Sequence, residues 1–467
     1  MPDHDLAIIG AGRAGLSMAS RAAAAGRQVV LFERGATGGA WLHGGLAAQA
    51  LLALAHRVTA ARQAGLGLTP ASGAVQWPLI QAQLREAVAA QAAELAPASP
   101  NITVIRASAH FTAADRIEAA GRLHTFRHAV IAAGSAPLVP DLPGLASLPW
   151  LTSETIFDLP ALPGHLLVLG ADAAGIEMAQ AFARLGCRVS LIEAGPNIAA
   201  TEDRDLVAPL REQLRQDGVT LHENTRVLAA EEHSEGLALR VEGGATLPGS
   251  HLLLALSRAP RLSGLDLAAA GIEASARGVV TGRDLRSSNR RVWVAGSIAD
   301  PEGLPPHRFG PAAGQQAGLI LRAMQGTPSR LADAALPRAI RTEPELAQIG
   351  LTEMEARATG LTVQVLRGAF AGNARAIARG DTAGQVKLVV GPGGQLLGAG
   401  ILGHGAAGMA GMLALAMEQR LPLSALAELA LPWPALADSV RAAIGPYYTA
   451  PAASPMLQRV LGLLQRP

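Results

Sequence analysis

Thiols are almost missing from this chain. Cys187 is the only cysteine in 467 residues, so no intramolecular disulfide, zinc cluster or iron–sulfur centre can be assembled from its own side chains. It stands in Leu-Gly-Cys-Arg-Val, just ahead of an apolar stretch, where a small core residue is expected. Lysine is equally scarce: Lys387 is the sole one, and arginine supplies the rest of the 39 basic side chains. With aromatics at only 3%, no basic stripe with interleaved aromatics forms, which argues against nucleic acid as a partner. No apolar run reaches the ~18–20 residues that span a bilayer, so no transmembrane segment is expected. The start, Met-Pro-Asp-His-Asp, is acidic and leads at once into an apolar run, unlike a secretory leader; the expected location is cytoplasmic. The histidines are scattered without metal-ligand spacing, and no metal site is expected.

What is present is core. Hydrophobic residues make up 49% and charged ones 16%, the balance of a well-buried globular protein rather than a disordered one. The length suggests roughly three domains of ordinary size.

The first informative stretch is Leu6 to Ile9, an apolar run entering Gly10-Ala11-Gly12-Arg13-Ala14-Gly15. An alanine-rich helix to about Ala25 and a strand from Gln28 to Phe32 follow, closing on Glu33. Strand, glycine turn, helix, strand and acid make a dinucleotide-binding unit, with the pyrophosphate expected at the helix N-terminus. The pattern recurs: strand Leu166–Leu169, turn Gly170-Ala171-Asp172-Ala173-Ala174-Gly175, helix Glu177–Leu185, strand Arg188–Ile192 and Glu193. A third marker is Val130-Ile131-Ala132-Ala133-Gly134-Ser135-Ala136-Pro137, a buried strand ending in small residues that let a ligand approach. From about Pro337 the composition shifts: strands Gln385–Val390 and Leu396–Ile401 alternate with glycine turns, and an apolar helix Met409–Gln419 follows. Residues 451–467 form a proline-bounded amphipathic tail.

Over about residues 5–445 the sequence resembles the class I pyridine nucleotide-disulfide oxidoreductases, the group of dihydrolipoamide dehydrogenase, glutathione reductase and mercuric reductase. Leu252-Leu253-Leu254-Ala255-Leu256-Ser257-Arg258-Ala259-Pro260 is similar to the family's strand ending in Gly-Arg-x-Pro, with Ser257 at the glycine. Arg291-Val292-Trp293-Val294-Ala295-Gly296-Ser297 is similar to the strand ending in Gly-Asp that holds the flavin. Arg341-Thr342-Glu343-Pro344-Glu345 through Thr352 is close to the opening of the family's dimerisation domain. The resemblance implies an α/β fold class, with two Rossmann-like dinucleotide-binding domains and a C-terminal α+β dimerisation domain. It divides the chain into an FAD-binding part (1–146 and 268–336), an NAD(P)-binding-like part (147–267) and a dimerisation part (337–450). A homodimer is implied. FAD is the implied cofactor, held by Gly10, Gly12, Gly15, Glu33, Gly38, Gly39, Ala133, Gly134, Gly296 and Ser297.

The departures fall on chemistry. The family's Gly-Gly-Thr-Cys, four residues, then Cys-x-Pro-Ser-Lys reads here Gly38-Gly39-Ala40-Trp41-Leu42-His43-Gly44-Gly45-Leu46-Ala47-Ala48-Gln49-Ala50. Trp41 and Leu46 hold the two cysteine positions and Ala50 the lysine, so the thiol relay that passes two electrons is absent. Glu177 corresponds to the glutamate that pairs with that lysine. The C-terminal His-Pro-Thr-x-x-Glu reads Leu431-Pro432-Trp433-Pro434-Ala435-Leu436, removing an acid–base pair. An apolar wall of Trp41, Leu46, Leu431, Trp433 and Leu436 is implied instead. Ser297 replaces a flavin-bonding aspartate; its hydroxyl retains one neutral hydrogen bond.

For a nicotinamide cofactor, Gly170, Gly175, Glu193 and Ser257 are the implied contacts, and Glu193 selects NAD(H) over NADP. Asp172 opposes that binding, since a side chain there obstructs the pyrophosphate and a carboxylate repels it. Pro306-His307-Arg308-Phe309-Gly310 aligns loosely with a family segment under the flavin ring. His307 and Arg308 are thereby candidates, with Trp41 and Glu177, for a catalytic role: a histidine near flavin N1 or O2 stabilises the anionic reduced ring. Two functions follow from these residues. One is an FAD oxidoreductase that passes electrons directly between flavin and an apolar, non-disulfide acceptor, NADH being a conceivable donor. The other is a catalytically silent homologue serving as a binding or assembly module.

Overall fold

The computed structural model describes residues 2–62, 73–304, 312–331 and 336–449. Two compact units divide them: residues 1–200 with 214–333, and residues 201–213 with 334–467.

The first unit holds two parallel sheets. One runs in the order Ile102–Ile105, Val29–Phe32, His4–Ile9, Arg122–Ile131, with Val292–Val294 pairing the last of these in parallel. Val29–Phe32 is buried at every position, as expected of a central strand covered on both faces. The helix Arg13–Ala24 buries Ala14, Ala19, Ala22 and Ala23, side chains small enough to let its backbone lie close to the sheet. Helix Ala312–Met324 packs against it. Arg122–Ile131 is long enough to serve twice: its N-terminal half pairs antiparallel with Arg116–Ala119, and its C-terminal half continues the parallel sheet.

The second sheet repeats the plan, in the order Val219–His222, Arg188–Ile192, His165–Leu169, His251–Leu254, Trp150–Thr152, all parallel. Its helix spans Ala173–Arg184, starting four residues before the expected Glu177. Ala173, Ala174 and Gly175 are poor at marking a helix by periodicity, yet they form its first turn. A separate antiparallel sheet, Val227–His233, Gly236–Val241 and Thr246–Gly249, carries no sequence motif.

The second unit is built on a five-stranded antiparallel sheet, in the order Arg338–Ile340, Leu346–Gly350, Leu396–Leu402, Gln385–Val390, Gln364–Ala369. Helices Ala406–Glu418 and Asp438–Thr449 pack on it around a core containing Phe370, Leu388, Ile401 and Leu413. The α/β class with two nucleotide-type sheets and an α+β unit is thus the architecture found. Residues 451–467, the expected tail, lie outside the described residues.

Candidate functional site

The first glycine turn is shaped by close contacts. Gly10 has φ +104°, the left-handed side that favours glycine, and a Cβ there would lie 2.5 Å from the Ala132 carbonyl oxygen. Gly15 brings the helix against the turn itself, where a Cβ would strike the Gly10 carbonyl oxygen. Gly12 differs in kind: a Cβ on it would meet nothing within 4 Å. It caps the helix Arg13–Ala24 and leaves open space in front of the helix N-terminus. Gly38 closes on the turn by donating its amide to the Ala11 carbonyl at 2.8 Å, and a Cβ on Gly39 would lie 3.6 Å from the Gly12 Cα. Glu33 accepts from the amides of Ala11 and Gly35, both at 2.7 Å. Its carboxylate therefore ties the glycine turn to the end of the second strand.

The second turn is built alike. Gly170 has φ +106° and would clash with the Ala255 carbonyl, Gly175 packs on the Gly170 carbonyl, and Glu193 accepts from Ala171 at 3.0 Å and Gly195 at 2.7 Å. The difference is Asp172, which caps helix Ala173–Arg184 at the position equivalent to Gly12. Its extended backbone (φ −79°, ψ 177°) is nearly that of Gly12 (φ −74°, ψ −176°). The turn thus keeps its backbone shape with an aspartate at this position.

Directly after Gly38 and Gly39 the chain forms a π-helical segment, Trp41–Leu46, running into helix Ala47–Arg62. π-Helical turns are rare and concentrate at functional sites. Trp41 is half-buried, and the Arg13 guanidinium lies over its indole at 5.0 Å from the ring centre, within cation–π range. Leu46 is half-buried one turn on. Gly44 faces Ser153, whose carbonyl would be 2.8 Å from a Cβ.

The chain matches the profile of the pyridine nucleotide-disulphide oxidoreductases over residues 4–325 and that of their dimerisation domain over residues 336–444. It belongs to the pyridine nucleotide-disulphide oxidoreductase family. A mercuric reductase of Streptomyces lividans is 33% identical over 460 residues, covering 94% of this chain and 95% of that protein. A dihydrolipoyl dehydrogenase of Geobacillus stearothermophilus is 28% identical, covering 88% and 89%. Among solved structures, LpdA from Mycobacterium tuberculosis superposes with a TM-score of 0.86 at 25% identity, covering 94% of this chain and 98% of that one. The HOCl-induced flavoprotein disulfide reductase RclA of Escherichia coli gives 0.84 at 26%, covering 94% and 99%.

Family members are FAD-binding flavoproteins, and the first turn fits such a group: an open helix N-terminus, a Gly12 that a Cβ would fill, and Gly39 beside it. Against the family pattern, the one thiol lies far from any relay. Cys187 is 8% exposed, and burial pushes its pKa up to about 12. Glu177 has lost the family's lysine but gains Gln49, whose amide donates to it at 3.3 Å from the residue next to Ala50. Ala133 and Gly134 are half-buried at the end of strand Arg122–Ile131. Gly296 donates to Gln316 at 2.7 Å, and the Ser297 hydroxyl donates to the Ser135 hydroxyl at 3.0 Å. Ser257 gives its carbonyl to the Leu138 amide at 2.9 Å. In the second unit, Trp433 is 83% exposed, while Leu431 and Leu436 are half-buried. His307 and Arg308 lie outside the described residues. Among the described residues, no group of His, Cys, Asp and Glu is arranged to hold a metal ion, and no helix is long and apolar enough to cross a membrane.

Proposed function

We propose that this protein is an FAD-dependent oxidoreductase that passes electrons directly between the flavin and an apolar, non-disulfide acceptor of quinone-like chemistry. The observation that carries the reading is the π-helical segment: Trp41 and Leu46 occupy the dithiol positions beside an intact glycine turn, while the only thiol is buried elsewhere. When bound, FAD supplies the two-electron chemistry that no side chain here can provide. Gly10, Gly12, Gly15 and Glu33 form the turn at which the pyrophosphate is received, with Gly38 and Gly39 as its second wall. Ala133, Gly134, Gly296 and Ser297 keep the backbone near the ligand free of bulk. Trp41 and Leu46 exclude water and offer a planar acceptor a stacking surface. The division into an FAD part, an NAD-like part and a dimerisation part, homodimer formation through residues 336–444, and a cytoplasmic location belong to the same reading.

Asp172 sets the donor problem, since a carboxylate in front of a helix N-terminus repels a dinucleotide's pyrophosphate. An absorbance spectrum of the purified protein, followed by anaerobic NADH, is the test. Flavin bands that bleach make NADH the donor. Bands that persist in the wild type but bleach in Asp172→Gly make Asp172 the block. Absence of flavin, even after incubation with FAD, refutes the reading and leaves the alternative that Asp172 itself favours: a silent homologue kept for binding or assembly.

A further inference from the structure

Two loops of the first unit are clasped at the glycine turn. Gly12 and Gly38 form an isolated parallel bridge, and the Gly38 amide donates to the Ala11 carbonyl at 2.8 Å. The residues that follow each clasp point are thereby brought together: Arg13 opens helix Arg13–Ala24, and Trp41 opens the π-helical segment Trp41–Leu46. Leu42 is fully buried and anchors that segment from inside. Trp41 is half-buried, with its Cδ1 edge 3.9 Å from where a Cβ on Gly45 would stand. The Arg13 guanidinium sits over the indole, 5.0 Å from the ring centre.

A guanidinium carries five N–H donors and stays charged at every working pH. Contact with an aromatic face uses its π surface and none of those donors. Arg13 is exposed, and among the described residues it makes no hydrogen bond and no ion pair. Glu33, the acid of the same turn, is engaged elsewhere: one carboxylate oxygen takes the Ala11 amide and the other the Gly35 amide, both at 2.7 Å. The result is an aromatic surface topped by a cation with its fork of donors free. It stands at the start of the segment in which Trp41 and Leu46 replace the thiols. Such a pair matches a planar molecule with an anionic group at its edge: the ring lies against the indole, and a carboxylate or sulfonate takes the fork in two parallel bonds.

We propose that Arg13 is a specificity-determining residue, selecting a planar acceptor that bears an acidic substituent over a neutral one. The inference rests on the flavin-to-acceptor reading above and names the acceptor class. The acidic group takes no part in the chemistry. The quinone ring gains two electrons and two protons from the reduced flavin and becomes the hydroquinone, while the flavin returns to its oxidised form. Arg13 holds the acceptor without touching the reacting atoms, so its effect falls on the acceptor concentration required and not on the limiting rate.

The test uses the FAD-loaded protein, photoreduced without oxygen so that no nicotinamide donor is needed. Stopped-flow mixing with a naphthoquinone sulfonate or with menadione then gives the half-saturating concentration of each from the return of flavin absorbance. Arg13→Gln is expected to shift the ratio of the two about tenfold toward menadione, the worth of one charge-assisted hydrogen bond. Arg13→Lys, which keeps the charge without the fork, falls between, and added salt shrinks the wild-type preference. A ratio that Arg13→Gln leaves unchanged overturns the proposal. An Arg13→Gln protein that no longer holds FAD also overturns it, because the arginine then serves the cofactor. In both cases wild-type reoxidation by menadione leaves the broader reading standing. Reduced wild-type flavin that neither quinone reoxidises overturns both.

Discussion

Replacing Lys387 by methionine is expected to destabilise the C-terminal unit by about 3–5 kcal/mol. Lys387 sits mid-strand in Gln385–Val390 and is 2% exposed. Its ammonium lies 2.8 Å from Asp203, 2.9 Å from Asp205 and 2.8 Å from Glu353. Burial alone would lower its pKa, but hydrogen bonds to Asp203, Glu353 and Asp205 outweigh that and hold it above the ordinary lysine value. The three carboxylates are not equivalent. Asp205 is half in water and has Arg367 at 2.6 Å, and Glu353 is a quarter exposed with Arg357 at 2.8 Å. Each stands to lose only about 0–1 kcal/mol with the lysine. Asp203 is 6% exposed and would keep only two backbone amides, those of Asp205 and Glu353. Nearly all of the cost is therefore an uncompensated buried charge at Asp203, and Asp203→Asn in the Lys387→Met background should recover most of it. Hydrogen exchange of the Gln385–Val390 amides measures the change locally. Because Lys387 is the sole lysine, amine-reactive labelling gives a second readout: the native protein labels at its N-terminus, and Lys387 labels only when this unit opens. A Lys387→Met protein within 1 kcal/mol of wild type, or one not rescued by Asp203→Asn, refutes the reasoning.

Acid should unfold the first unit early. Burial lowers the pKa of His128 from 6.5 to about 4, with Arg27, Arg127, Arg286 and Arg291 adding to it, and His4, His124, His165, His222 and His251 are also lowered, by burial first. A group depressed in the folded state stabilises above its unfolded pKa and loses that contribution as pH falls, so urea midpoints should drop between about pH 6.5 and 4. His128 alone accounts for roughly 3 kcal/mol; His128→Phe should flatten that limb, and an unchanged pH profile counts against it. Cys187 should be silent to thiol reagents in the native protein and react stoichiometrically in denaturant; a rapid native reaction contradicts its burial. Gly15→Ala should lower the melting temperature sharply, since its Cβ enters the Gly10 carbonyl. Gly12→Ala should melt like wild type and lose FAD affinity instead.

Much of the fold was legible because its signals are local and repeated. Strand Arg188–Ile192 matches its expected limits, and Gln385–Val390 does too. The helix of the second turn starts at Ala173, four residues before the expected Glu177, because alanine and glycine carry no periodic pattern. At the candidate site, the loss of both cysteines could be read directly from Trp41 and Leu46. The Arg13–Trp41 stacking and the Gln49–Glu177 bond could not, because each joins side chains that only the fold brings together. Lys387 did leave a trace: a lone lysine inside Val-Lys-Leu-Val-Val asks for a buried partner. Sequence spacing gave no means of naming Asp203.

The two clasped turns bear on how a nucleotide motif should be read. Glu33 and Glu193 are both engaged by backbone amides, and the first and last glycines of each turn are fixed by steric contact with the chain itself. These residues hold the turns in shape by contacts that need no bound ligand. The two turns differ at the central position, where Gly12 and Asp172 share nearly the same extended backbone. The duplicated architecture thus contains its own control. A test of ligand binding therefore belongs at positions 12 and 172, while the outer glycines and the two acids report on folding.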